Sequence, residues 1–372
     1  MHARSASASF APLALVLSIL AALSVPAGAQ EYVRETLSLP MAEAGSKGLE
    51  TLFIRPAEPA HYPLVIISHG APRKPEDRPG MTPATYYNNA LEFARRGFAV
   101  AIVMRRGYGA SGGDLAEGSG PCQNPDYVRS GRTAAADIKA AIIALGKRGD
   151  VDAARIIAVG QSAGGLGTVA LAANPPPGLI AAINFAGGRG SRADFDVCSE
   201  NRLIEAFRTF GKTSRLPMLW VYTANDHFFE PRLAEKFYEA FTAGGAPVQF
   251  VRAPAFGKDG HSLFSVTGIR QWTPYVDAFL AQHNLTQRTA LAPLPPLPAL
   301  TPPPQLGARG REAFDTYRRA MGAKAFAVSS DGSFGWRSGR RSVEDARRDA
   351  LNLCEAGKRE CRVVFTDDAV AP

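Results

Sequence analysis

Hydrophobic residues follow two alternating patterns between residues 49 and 283. Short continuous apolar runs, typical of strands covered on both faces of a sheet, lie at residues 64–68, 98–103, 156–159, 180–184 and 218–222. Amphipathic stretches that predict helices lie between them, at residues 85–96, 131–147, 164–173, 199–210 and 231–243. This alternation of strand and helix predicts an α/β fold with a mostly parallel sheet and right-handed crossovers.

The pattern changes after residue 285. Seven of the twelve residues from Pro293 to Pro304 are proline, which favours an extended, semi-rigid spacer. We therefore expect a large α/β domain at residues 30–285, a Pro-rich linker at 286–309 and a small α+β domain at 310–372. In the small domain, Asp331-Gly332 predicts a hairpin turn, and a helix at 342–356 and a strand at 362–365 follow.

The first residues have the pattern of a secretory signal peptide. The apolar run Ala11–Val25 is short for a membrane span, and the small residues Ala27-Gly28-Ala29 follow it. We predict a signal peptide at residues 1–29 and a mature chain that begins at Gln30. The expected location is periplasmic or secreted, and an uncleaved N-terminal anchor is the alternative.

Composition narrows the functional classes. The 372-residue chain has 46% hydrophobic and 20% charged residues, which is typical of a globular protein. Its formal net charge of +8 is dispersed along the sequence, without a basic block or a nucleic-acid-binding signature. We therefore expect no nucleic acid partner.

Four cysteines indicate oxidised thiols if the protein is exported. Four cysteines allow three pairings, and we favour Cys122–Cys198 and Cys354–Cys361 over free buried thiols. No pair has metal-site spacing and no histidine lies close to either pair in the sequence, so we expect no metal.

The sharpest motif is Gly160-Gln161-Ser162-Ala163-Gly164, directly after one apolar run and directly before a predicted helix. A G-x-S-x-G sequence in a strand–turn–helix context presents a serine hydroxyl at the carboxyl edge of a sheet. Small flanking residues are needed there, because backbone and helix crowd together. We predict Ser162 as a nucleophile, and a plain Gly-rich turn is the alternative.

A serine nucleophile needs a base to take its proton. Three histidines follow Ser162 in the sequence. His261 lies in a Gly-flanked loop after a predicted strand at 248–252 and is the predicted base. His227 is expected to line the pocket or to pack, and His283 to lie on the surface at the end of an amphipathic helix.

The base in turn needs a carboxylate that orients it. Asp226 is the last residue of the stretch 219–226, which continues the predicted strand at 218–222. The carboxyl ends of parallel strands converge on such sites. We predict Asp226 as the acid, and Glu230 and Asp259 are the competing candidates.

The anionic intermediate of acyl transfer needs two hydrogen-bond donors. We expect the amides of Ala163, after the nucleophile, and of Ala71, in the loop that begins His69-Gly70-Ala71. His69 is expected to be a structural, hydrogen-bonded histidine. Further candidates for substrate binding are Arg105, Arg189 and His227, and the arginines would suit an anionic ester.

These motifs together resemble the α/β-hydrolase superfamily, and in particular bacterial dienelactone-hydrolase-like proteins. The resemblance rests on His69-Gly70, the stretch 105–113, Gly160–Gly164, Asp226 and Asp259-Gly260-His261. It implies a Ser-His-Asp triad, no metal or organic cofactor, and hydrolysis of small carboxylic esters or lactones. Cytosolic dienelactone hydrolases use a cysteine nucleophile, so the serine at position 162 favours an exported esterase of the wider family.

Two other classes remain open. A serine peptidase or an acyltransferase would use the same triad. A non-catalytic envelope-binding protein with a hydrolase fold is the third hypothesis, and the C-terminal domain could contact the cell envelope in either case.

Overall fold

The structure is a computed structural model that describes residues 31–356 and 360–371. The predicted signal peptide at residues 1–29 lies outside these residues. In the described residues, no helix is both long and apolar enough to cross a membrane.

From residue 31 to the Pro-rich stretch, the structure has ten strands. They are β1 (Tyr32–Leu39), β2 (Leu49–Pro56), β3 (Tyr62–Ser68), β4 (Ala99–Val103), β5 (Val151–Gln161), β6 (Leu179–Phe185), β7 (Ser191–Ala193), β8 (Asp196–Val197), β9 (Met218–Thr223) and β10 (Val248–Ala253). Eight of them form one sheet in the order β1-β2-β4-β3-β5-β6-β9-β10, whereas β7 and β8 form a separate hairpin. Only β2 runs antiparallel to its neighbours, and all other adjacent pairs are parallel. The predicted α/β class with a mostly parallel sheet is confirmed.

Helices cover both faces of the large sheet. They are α1 (Tyr87–Arg95), α2 (Tyr127–Leu145), α3 (Ala163–Ala172), α4 (Glu200–Gly211), α5 (Pro231–Thr242) and α6 (Ile269–Gln282). Leu64 and Ile66 of β3 pack into the core formed with α2 to α5, whereas Val65 and Ile67 pack into the core formed with α1 and α6. Strands buried on both faces read as continuous apolar runs, which explains why the sequence located them.

The C-terminal residues form a second, smaller sheet. It contains β11 (Ala325–Ser329), β12 (Phe334–Arg337), β13 (Cys361–Thr366) and β14 (Ala369–Val370) in the antiparallel order β12-β11-β13-β14. Helix α7 (Ala308–Arg319) packs on one face through Phe314 and Tyr317, and α8 (Val343–Glu355) packs on the other through Ala346 and Ala350.

The Pro-rich stretch has no regular secondary structure, but it lies against the large domain. The amide of Ala292 donates to the carbonyl of Arg95 at 3.0 Å. The hydroxyl of Tyr32 donates to the carbonyl of Pro293 at 2.8 Å, and Leu294 packs against the core that contains α1 and α6. The stretch is therefore attached along part of its length.

The four cysteines pair as expected, Cys122 with Cys198 and Cys354 with Cys361. The first bridge joins the loop before α2 to the loop before α4, across 76 residues of sequence. The second joins the end of α8 to the start of β13, across 7 residues.

Loop length predicts how much each bridge stabilises the fold, because a cross-link removes more unfolded-state entropy when it closes a longer loop. In urea unfolding, Cys122→Ala/Cys198→Ala should lower the free energy of unfolding by about 4 kcal/mol, and Cys354→Ala/Cys361→Ala by about 2 kcal/mol. An equal or larger loss in the second variant would contradict the loop-length argument.

Candidate active site

Ser162 lies in a tight turn between β5, which ends at Gln161, and α3, which begins at Ala163. Its backbone has φ 56° and ψ −121°, on the side of φ that favours glycine. A non-glycine residue held there costs on the order of 1–3 kcal/mol, and such strain persists only where the surroundings enforce it. The turn holds the serine at the carboxyl edge of the sheet.

Two glycines of the motif allow this turn. A side-chain carbon on Gly160 would lie 2.2 Å from the carbonyl oxygen of Gly164, and one on Gly164 would lie 2.2 Å from the carbonyl oxygen of Ser68. Both distances are far below a van der Waals contact, so helix α3 can approach strands β3 and β5 only without side chains at these positions.

The structure brings the predicted base and acid together. Nδ1 of His261 lies 3.1 Å from Oδ2 and 3.2 Å from Oδ1 of Asp226. The amides of Phe228 and Phe229 donate to Oδ1 of the same carboxylate at 2.7 and 2.9 Å. Asp226 is therefore buried, fixed by backbone donors and aimed at the imidazole.

The two competing acids have other partners. Oδ1 of Asp259 accepts the amides of His227 and His261 at 3.0 Å each, so this carboxylate shapes the loop that carries His261. Glu230 lies beside Arg232 at 3.6 Å, at the start of α5. Neither is positioned at the imidazole as Asp226 is.

The structure does not join the imidazole of His261 to the hydroxyl of Ser162 by a hydrogen bond. Nε2 of His261 is buried and has no hydrogen-bond partner within residues 31–356 and 360–371. His261 and Ser162 are 7% and 6% exposed, so both groups are shielded from bulk water.

A set of hydrogen bonds that the sequence did not predict connects the loops around Ser162. The side-chain amide of Gln161 donates to the carbonyl of His261 at 3.2 Å, and its oxygen accepts the hydroxyl of Tyr86 at 2.9 Å. The same hydroxyl accepts the amide of Gly70 at 3.3 Å. Gln161 lies within the motif, but no sequence pattern identifies Tyr86 as its partner.

The two expected oxyanion donors lie on elements next to the serine. Ala163 is the first residue of α3, where amides lack intrahelical acceptors. Ala71 follows Gly70, and a side-chain carbon on Gly70 would lie 3.1 Å from Cβ of Ser162. The loop after β3 therefore passes close to Ser162.

His69 is fully buried and supports that loop. Its Nδ1 lies 2.7 Å from the carbonyl of Gly70, and its Nε2 accepts the amide of Arg105 at 3.1 Å. Burial, together with the Arg105 charge, lowers the pKa of His69 to about 3. His69 therefore remains neutral near pH 7.

Arg105 and Arg189 share one buried carboxylate. Nη2 of Arg105 lies 3.0 Å from Oε1 of Glu117, and Nη1 of Arg189 lies 2.7 Å from the same oxygen. Burial alone would raise the pKa of Glu117, but the two guanidinium groups lower it well below its usual range. Arg105 is fully buried and Arg189 is half-buried, and both guanidinium groups are occupied by Glu117 rather than available to a substrate.

A stack of side chains covers His261. The ring of Phe228 lies 3.8 Å from the imidazole at an angle of 9°. The guanidinium of Arg73 lies 3.7 Å from the centre of the Phe228 ring. Because His261 occupies one face of this ring, Arg73 packs on the other. The hairpin β7–β8 completes the cover, because Asp194 binds both Nη1 of Arg73 at 2.9 Å and Nδ1 of His227 at 3.1 Å.

The described part of the chain holds no group of three or more His, Cys, Asp or Glu side chains arranged to bind a metal ion.

Comparison with known proteins gives one family match. Residues 46–211 match the model of the X-Pro dipeptidyl-peptidase (S15) family. The match includes Ser162 and ends before Asp226 and His261. A search of curated protein sequences found no match.

Solved structures with similar chains include hydrolases of several kinds. A dienelactone hydrolase from Klebsiella pneumoniae is 16% identical with a TM-score of 0.47, over 67% of this chain and 98% of that one. An esterase from Pyrococcus furiosus is 14% identical with a TM-score of 0.45, over 68% and 90%. An acylaminoacyl peptidase from Pyrococcus horikoshii is 17% identical with a TM-score of 0.47, over 72% and 43%.

The family match spans residues 46–211, which is less than half of the 372-residue chain.

The low pKa of His69 predicts a pH effect on stability. An unfolded histidine has a pKa near about 6.5, so protonation favours the unfolded chain. The contribution of neutral, buried His69 to the free energy of unfolding is complete above that pH and is lost as the pH falls toward about 3. His69→Gln, which still donates and accepts, should reduce the slope of unfolding free energy against pH between about 6 and 4 by up to about 1.4 kcal/mol per pH unit.

The measurement is urea unfolding at several pH values. His61→Gln, at an exposed histidine, is the matched control and should keep the wild-type slope. Identical slopes for His69→Gln and the wild type would show that His69 is not a buried neutral group.

Proposed function

We propose that the protein is an exported serine hydrolase that cleaves small carboxylic esters or lactones through an acyl-enzyme on Ser162. The observation that carries this proposal is the buried His261, whose Nδ1 binds the fixed carboxylate of Asp226 while Nε2 has no partner in the described chain. It lies with the strained Ser162 turn at one edge of the sheet.

Acylation begins when the Ser162 hydroxyl attacks the substrate carbonyl carbon and its proton passes to Nε2 of His261. The carboxylate of Asp226 accepts a hydrogen bond from Nδ1–H of His261 and stabilises the imidazolium. The carbonyl oxygen becomes anionic and accepts the amides of Ala163 and Ala71. Collapse breaks the bond to the leaving oxygen, which takes the proton from Nε2.

Deacylation repeats these steps with water. Nε2 takes a proton from a water molecule, whose oxygen attacks the acyl carbon. The acid product leaves and Ser162 regains its proton from Nε2. For a lactone, the leaving oxygen stays attached to the product, so a single hydroxy acid is released.

The closed surroundings of the serine support small substrates. Ser162 is only 6% exposed, and Phe228, Arg73 and the β7–β8 hairpin lie over His261. A bulky chain would have to displace this cover, whereas a short acyl group needs less space. His227 belongs to the rim of the same cover through Asp194, and we retain it as a contact for the substrate.

Two disulfides support export, because such bonds persist in oxidising compartments. The proposal includes a signal peptide at residues 1–29. It also includes a hydrolase domain that ends at residue 285 and a C-terminal domain that begins at residue 310.

A second candidate is an X-Pro peptidase, which the family match at residues 46–211 favours. A dipeptidyl-peptidase must bind a free substrate ammonium, which requires an available acid. The carboxylates that we find around the site already have partners: Asp226 binds His261, Glu117 binds two arginines, and Asp194 binds Arg73 and His227. This distribution favours the esterase.

Covalent labelling tests the activated serine without knowledge of the substrate. A fluorophosphonate probe should label the wild type and should fail to label Ser162→Ala, which should also lose ester turnover by at least about 10⁴-fold. Ser262→Ala is the matched control, because its hydroxyl donates to the carbonyl of Asp259. Equal labelling of Ser162→Ala would refute the assignment.

The same assay separates the candidate acids. Asp226→Asn should lower kcat by about 10⁴-fold, since the imidazole loses its orienting charge. Asp259→Asn keeps an acceptor for the two backbone amides and should lose less than about tenfold. An undiminished Asp226→Asn enzyme would exclude Asp226.

Three substrates distinguish the esterase from the peptidase. We expect Ser162-dependent turnover of p-nitrophenyl butyrate and none of Gly-Pro-p-nitroanilide. Acetyl-Gly-Pro-p-nitroanilide is the control for recognition of a free amine. Cleavage of the free dipeptide anilide but not of its acetylated form would identify an X-Pro dipeptidyl-peptidase instead.

A further inference from the structure

A cleft of about 730 Å³ lies between the catalytic domain and the C-terminal domain. Residues of α1 and of the start of α6 form one wall, and residues of α7 and β12 form the other. This volume is in the range of small-molecule binding sites. None of Ser162, Asp226 and His261 lines the cleft.

The C-terminal wall presents two aromatic rings. Trp336 and Phe334 of β12 are both half-buried and line the cleft. Trp336 and Tyr317 meet edge to face with their ring centroids 6.4 Å apart, and Phe334 stacks on Phe326 at 5.9 Å. The rings are therefore held in place without being covered.

Unpaired cations surround these rings. Arg270, Arg309 and Arg319 line the cleft, and none of them has an ion pair or a side-chain hydrogen bond within the described residues. Two of the acids that line it are already neutralised, Glu92 by Arg95 and Asp315 by Arg318. Glu312 is the remaining acid, so the free charges of the cleft have a positive excess.

We propose that this cleft binds an acidic oligosaccharide, with its carboxylates on the arginines and a sugar ring on Trp336. Guanidinium groups match carboxylates in planar, two-pronged geometry. Sugar hydroxyls both donate and accept, and the cleft offers both kinds of partner in Asn88 and Glu312. An aromatic face provides apolar contact for the C–H face of a sugar ring.

The mixed charge of the cleft favours this ligand over nucleic acid. A phosphate backbone carries one charge per nucleotide and binds best to a surface without acids. Here Glu92, Glu312 and Asp315 lie among the arginines. An acidic oligosaccharide has fewer charges and more hydroxyl groups, which this combination can accommodate.

The binding site would tether the enzyme to an acidic polymer from the junction of its two domains. The inference goes beyond hydrolysis and does not depend on it, because none of the residues that carry it belongs to the candidate triad.

Tryptophan fluorescence provides a direct measurement. Trp220 and Trp272 are completely buried in the core, so Trp336 is the tryptophan of the three that a ligand in the cleft would contact. The full chain carrying Ser162→Ala, which removes the nucleophile, is titrated with trigalacturonate, with maltotriose and with an oligothymidylate at fixed salt. We expect saturable quenching with trigalacturonate and at least tenfold weaker binding of the other two ligands.

Variants then test the residues. Arg309→Ala/Arg319→Ala should weaken trigalacturonate binding at least tenfold, whereas Arg347→Ala, an unpaired arginine on α8 outside the cleft, should leave it unchanged. Calorimetry with Trp336→Ala should also show weaker binding, whereas Trp336→Phe should retain most of it. Each variant is checked by circular dichroism, and the single change Arg309→Glu replaces any double variant that does not fold.

The proposal is overturned by absent binding of trigalacturonate, by equal affinity for maltotriose, by tighter binding of the oligothymidylate, or by unchanged affinity in the arginine variants. Loss of fluorophosphonate labelling by the wild type would instead contradict the hydrolase function and leave this binding result intact.

Discussion

The close approach of backbone around Ser162 is the constraint on which the site depends. In the parallel register, Ser68 of β3 lies beside Gly160 of β5, and Gly160 lies beside Asn184 of β6. Helix α3 then begins directly over this row, and a side-chain carbon on Gly165 would lie 2.4 Å from Oδ1 of Asn184. The strain at Ser162 is sustained because both flanking elements are fixed, β5 by sheet pairing and α3 by burial of all ten of its residues.

Much of this could be predicted from the sequence, because the relevant signals are local. Continuous apolar runs identified the doubly covered strands, and the glycine spacing around Ser162 identified the strained turn. The cysteines paired as expected, since their number and positions left few choices. The order of nucleophile, acid and base along the chain narrowed the candidates to Asp226 and His261, whose contact with each other the structure describes. Their catalytic roles remain a prediction.

The rest depends on contacts between distant residues. Strand β1 lies at a sheet edge, and between its two buried end residues it alternates half-buried with exposed positions, so it lacks a continuous apolar run. Helix α7 was not predicted, because its apolar side is reduced to a few residues such as Phe314 among several arginines. Arginine in a loop after a strand is usually solvated, yet Arg105 is fully buried because Glu117, twelve residues later, folds back onto it. No local sequence pattern predicts such an ion pair.

The C-terminal domain also contacts the loops around the candidate site. Arg341 binds Glu50 at 2.6 Å and donates to the carbonyl of Met81, and Thr82 donates to the carbonyl of Gly339 at 2.7 Å. Thr82 directly precedes the turn that carries Tyr86, whose hydroxyl accepts the amide of Gly70 in the loop after β3. Deleting this domain would therefore remove support from the loops next to Ser162 as well as any binding function. Point substitutions inside the cleft leave Arg341 and Thr82 in place, so they separate ligand binding from support of the active site, which a truncation cannot do.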